Sequence, residues 1–277
     1  MYAFNVYHCR KTVGRLAKAL TATAPRPHAL IEDYRKAINQ FRPIAAPMST
    51  ISIGFEDSSW GQHIAKHDIF SDFTSTISPS APQLRAFWAR CTTGALEHIR
   101  STDSNIASMI DLLVTDIIIL NTKYVGGRTA SHIPGLVCLS PSCRWQKTDF
   151  ADMIVYEAFH LNLFISDMVY GVFSVPRAIL AEEQNHISSP TNPHETIPLD
   201  QALHGAVAVM ALMYVQSVRG KSSLLEMLAT PLSGCIEELC ARAQFLSDYG
   251  REMINQLATL QIPDDIERLG IHIAKYE

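Results

Sequence analysis

The sequence predicts a mainly α-helical single domain, residues 1–277, with a small β element. Three observations predict it. Long stretches repeat apolar residues at the period of one helix face. Two short segments, about 49–55 and 133–140, have the composition of strands. No internal repeat or low-complexity linker interrupts the chain.

The elements follow in order. "HALIEDYRKAINQF" (28–41) carries apolar positions at helical spacing. "STISIGF" (49–55) reads as a strand. Residues 81–101 and 104–121 read as two long amphipathic helices. "IPGLVCLS" (133–140), bounded by Pro134-Gly135 and Pro141, reads as the second strand. The stretch 150–173 is apolar on most faces. It predicts a central helix covered all round, with Met153, Ile154, Phe159, Leu163 and Phe164 buried. A polar, proline-containing loop (187–198) precedes a helix at 199–219, with Asp200 near its start and Gly220 past its end as cap residues. Two or three further helices follow.

Composition narrows the function classes. Hydrophobic residues are 47%, charged residues 18%, and the net charge is −4. No basic field is present for nucleic acid or anionic membrane. No apolar run is read as long enough to span a bilayer, since Asp111, Thr115 and Asp116 break the longest one. "MYAFNVYHCRK" has no signal-peptide pattern. The six cysteines read as reduced, partly buried thiols, and the expected location is the cytoplasm.

The chemistry concentrates in "ADMIVYEAFHLNLF" (151–164). Tyr156-Glu157-Ala158-Phe159-His160 is His-Glu-x-x-His with a phenol in the first position. Glu157 and His160, at i and i+3, can point at one ion, as in carboxylate-bridged iron helices. His204, in the apolar stretch "ALHGAVAV", is the best third donor. Two histidines and a carboxylate make the facial set of non-haem Fe(II). The plainer reading of each histidine is a hydrogen-bonded core residue. A second Glu-x-x-His pair, Glu183 and His186, reads better as a solvated helix end. Arg128, in "GGRTASH", is of the type that grips a carboxylate, with an exposed loop as its default reading.

Three segments in order carry a resemblance. Pro134-Gly135-Leu136-Val137 with Leu139-Ser140 come first, then Glu157, His160, Leu161 and Leu163, then Pro198-Leu199 with Leu203-His204-Gly205. Together, over about 125–220, they resemble the HExxH-type peptide-modifying proteins, the α-ketoglutarate-dependent HExxH-type peptide β-hydroxylases of natural-product gene clusters. The resemblance implies Fe(II), with α-ketoglutarate as co-substrate. His160 and His204 would be ligands and Glu157 a ligand or acid/base. From the residues themselves, Arg128 is expected as a co-substrate contact and Tyr156 as a catalytic group. The implied reaction is hydroxylation of an amino-acid or peptide intermediate, in some cases held on a carrier. A homodimer is allowed. Tyr156 in place of histidine, and Ile197 in place of an arginine common in the family, depart from the pattern. The alternatives are a metal-free binding or partner protein on the same scaffold, and a zinc hydrolase. The hydrolase needs two motif histidines where this chain has one.

Overall fold

The computed structural model describes residues 2–221, 223–260, 262 and 264–274. The structure is 61% helical, with twelve α-helices among the described residues beside a sheet of four strands and one of two. This is the mainly α architecture with a small β element that the periodicity predicts. Backbone contacts resolve two compact units. One is Val13–Leu161; the other joins Met1–Thr12 to Asn162–Glu277. Helix α1 (Val6–Thr21), for which the sequence raised no expectation, contributes residues to both.

The unit Val13–Leu161 holds α2 (Leu30–Ile38), β1 (Ser52–Phe55), α3 (Ser59–Lys66), α4 (Ser71–Thr74), α5 (Pro82–Thr102) and α6 (Ser104–Leu113). It continues with β2 (Asp116–Ile119), β3 (Gly126–Thr129), β4 (Leu136–Ser140) and most of α7 (Lys147–Tyr170). The strands run β1-β2-β4-β3, with β1, β2 and β4 parallel and β3 antiparallel on the edge.

Both expected strands are present, as β1 and β4, but the single helix expected over 104–121 is not. Helix α6 stops at Leu113, and Asp116–Ile119 is a central strand buried on both faces. A strand with two covered faces loses the alternation that marks a half-exposed one, so its apolar run merges with the preceding helix pattern.

A buried polar latch holds the starts of β1 and β2. Arg42 donates to Asp116 Oδ2 at 2.6 Å and to Thr115 Oγ1 at 2.5 Å, and Ser52 donates its hydroxyl to the same carboxylate. The Arg42 and Asp116 side chains are 0% and 4% exposed. On one side of the sheet Trp60, Ile64 and Phe73 pack with Ile118, Leu120 and Cys138.

In the other unit, α8 (Arg177–Leu180) is followed by β5 (Ile187–Ser188) and β6 (Thr196–Ile197). These two short strands pair antiparallel and close the segment read as a polar, proline-containing loop. Next come α9 (Leu199–Val218), α10 (Ser223–Ala241), α11 (Asp248–Ala258) and α12 (Leu269–Ala274). Helix α9 is long and apolar enough, with a mean hydropathy of 1.3, to cross a membrane. This corrects the reading that no run reaches that length. It is instead a core helix, with 78% of that stretch buried, and it packs on α10. Gly220 ends it in the left-handed region at φ 68°, as expected of a residue following a helix. Asp200 does not cap its start. Pro198 occupies the N-cap, and Asp200 accepts from Arg177 at 2.6 Å.

Candidate functional site

Helix α7 presents the motif residues. Ile154, Val155, Ala158, Phe159, Leu161 and Leu163 are buried. Met153, Tyr156, His160 and Phe164 are only half-buried, so the expectation of cover on every face is corrected. These four recur three or four positions apart, which aligns them as one stripe along the helix. Within it the Tyr156 and His160 rings meet edge to face, 4.8 Å between centroids.

Glu157 points elsewhere. It is 3% exposed and lies against β3. A Cβ on Gly127 would stand 2.5 Å from its Oε1 and 2.7 Å from its Cγ, so only glycine leaves room for this carboxyl. Thr129 hydrogen-bonds the carboxyl from the same strand. Residues two apart on a strand share a face, which is why Gly127 and Thr129 both meet Glu157. Arg128, between them, takes the opposite face. Its Nε and Nη2 donate to Asp72 Oδ2 at 3.0 and 2.5 Å, and its guanidinium covers the Phe73 ring. The guanidinium does grip a carboxylate, as its residue type suggested, but the carboxylate belongs to the chain.

Burial sets the protonation of this turn. Lack of solvation raises the Glu157 carboxyl to about 7, against the hydrogen bond from Thr129 and the charge of Arg128. The same cause, with Arg128 adding to it, lowers His160 to about 4. Burial and the Glu157 charge push the Tyr156 phenol up. Near neutral pH the turn therefore holds a phenol with its proton, an uncharged imidazole, and a carboxyl poised to gain or lose one.

The remaining candidates lie on other elements. His204 is buried on α9 in the other unit, its ring 4.6 Å from that of Phe164. Glu183 and His186 occupy a 3-10 turn and its C-cap. Glu183 is exposed and His186 Nε2 lies 3.2 Å from the Ala181 carbonyl, the solvated helix end expected of this pair. Among the described residues, no group of three or more His, Cys, Asp and Glu is placed to hold a metal ion.

Sequence reasoning missed Gly127 and Thr129 as partners of Glu157. Their only signal was the pair Gly126-Gly127, which reads equally well as a flexible loop. No protein-family model matches the chain, and no curated protein matches it.

Proposed function

We propose that the α7 turn Tyr156–His160 is the working centre of an enzyme that modifies an amino acid or peptide. One observation carries this reading. A carboxyl buried against a strand whose position 127 has room only for glycine lies within one helical turn of a partly buried phenol and a neutral imidazole. Burying a carboxyl costs free energy, and such arrangements concentrate where a proton must be held or moved. In this reading the Tyr156 hydroxyl orients the substrate by donating a hydrogen bond. His160 accepts a proton or coordinates. Glu157 supplies or removes a proton near neutral pH.

The reaction we propose is the hydroxylation that the resemblance implies, with Fe(II), α-ketoglutarate and O2. The Glu157–His160 pair and the order of the three matching segments support it. The iron would supply oxygen activation, and it is the resemblance, not the placement of the donors, that names Glu157, His160 and His204 as its ligands. As placed, the described donors do not gather into a set of three, so no step is derived through the metal. A second reading, a metal-free binding protein, is favoured by Tyr156: a phenol that keeps its proton donates and does not coordinate.

One experiment separates the two. Protein purified without chelator is assayed for metal, then titrated anaerobically with Fe(II) in the presence of α-ketoglutarate. The oxygenase reading expects one equivalent of iron, lost in His160→Ala. No iron uptake, together with unchanged peptide or amino-acid binding, sinks it in favour of the metal-free protein.

A further inference from the structure

A second pair of donors stands on α3, outside the α7 turn. His67 is the C-cap of α3, and its N–H donates to the His63 carbonyl at 3.1 Å. The helical spacing therefore continues through both residues, and side chains four apart share a face. The two imidazoles already lie side by side, with centroids 4.3 Å apart and planes 40° from parallel. His63 is half-buried, braced on its inner side by the Trp60 ring 5.8 Å away, while His67 is exposed. One ring is thus fixed by packing and its partner is free to adjust.

We propose that His63 and His67 form a two-histidine site for a divalent late transition-metal ion, Cu(II) before Ni(II) or Zn(II). Two histidines at i and i+4 on a helix can chelate a single ion. Nitrogen donors rank Cu(II) highest among these metals, and its tetragonal geometry accepts two cis nitrogens with water in the remaining positions. With metal–nitrogen bonds of about 2.0 Å at a right angle, the ring centres come to roughly 4.5 Å apart. The observed 4.3 Å matches that separation. Structural zinc asks for four protein donors at wider angles, and among the described residues no third His, Cys, Asp or Glu joins the pair. Lys66, next to His67, is a positive charge that opposes a cation here. The proposal is independent of the oxygenase reading.

The test is a Cu(II) competition titration against a chromophoric chelator, with electron paramagnetic resonance on the bound ion. It uses the full chain, His67→Asn and His63→Gln. Removing either imidazole should weaken the tightest Cu(II) site about tenfold or more, a loss at least equal to that from disturbing an outer-shell partner. The nitrogen splitting should fall from two imidazoles to one. The same loss in a His160→Ala background separates this site from the α7 turn. Because His67 is exposed, His67→Asn keeps the fold. If His67→Asn binds Cu(II) as tightly as the parent chain, or the parent spectrum shows a single nitrogen, the proposal is overturned.

Discussion

Gly127 and Glu157 fit together only because Gly127 lacks a side chain. A Cβ there would approach Oε1 at 2.5 Å, Cγ at 2.7 Å and Cδ at 2.8 Å. The outer oxygen could swing away alone, but Cγ moves only if the whole buried side chain changes rotamer. Gly127→Ala should therefore destabilise the protein by about 1–3 kcal/mol, the usual range for overpacking. Adding Glu157→Ala should recover part of that loss, with a coupling above about 0.5 kcal/mol. Urea unfolding of the two single variants and the double variant measures this. Additive effects would mean that the residues do not touch.

Glu157 and His160 should give opposite pH dependences in metal-free protein. A carboxyl raised from 4.5 to about 7 contributes stability that is full below 4.5 and lost as pH rises through 7. An imidazole lowered from 6.5 to about 4 contributes stability that is full above 6.5 and lost as pH falls through 4. Between pH 4.5 and 6.5 the two slopes cancel. Relative to the parent chain, Glu157→Gln should gain stability with rising pH across this window, and His160→Asn should lose it. Each slope should be about 1.4 kcal/mol per pH unit. Denaturant midpoints at pH 5 and 6 are sufficient. Slopes of the same sign in both variants would contradict the burial-driven shifts.

Tyr156 and His160 should differ in what they contribute. With a phenol that keeps its proton, Tyr156→Phe should reduce turnover roughly 10²–10⁴-fold, the span of a positioned proton donor, and leave metal affinity unchanged. His160→Ala should abolish both. Iron titration and product formation are read on the same preparations. Loss of metal in Tyr156→Phe would make the phenolate a ligand, and full activity there would reduce Tyr156 to packing.

Asp116→Ala should be among the most damaging single changes. It strips the partner from Arg42, whose side chain is 0% exposed. An uncompensated buried charge costs about 3–5 kcal/mol. Thermal and urea unfolding check this, and a loss below about 1 kcal/mol would show that Thr115 and solvent suffice for Arg42.

Periodicity alone determined the fold class, the course of most helices and the two strands β1 and β4. It also placed Tyr156, Glu157 and His160 on one helix, because side chains three and four apart share a face in any α-helix. It failed where burial erases the pattern. Strand β2 is apolar on both faces and reads as helix. Tertiary structure alone decided what each motif residue faces. That Glu157 is covered by Gly127 and Thr129, and that Arg128 turns away to Asp72, follows from the pairing of β3 with β4 and the alternation of side chains along β3. The protonation of the turn follows from desolvation, which depends on everything packed around it and has no local signature in the chain.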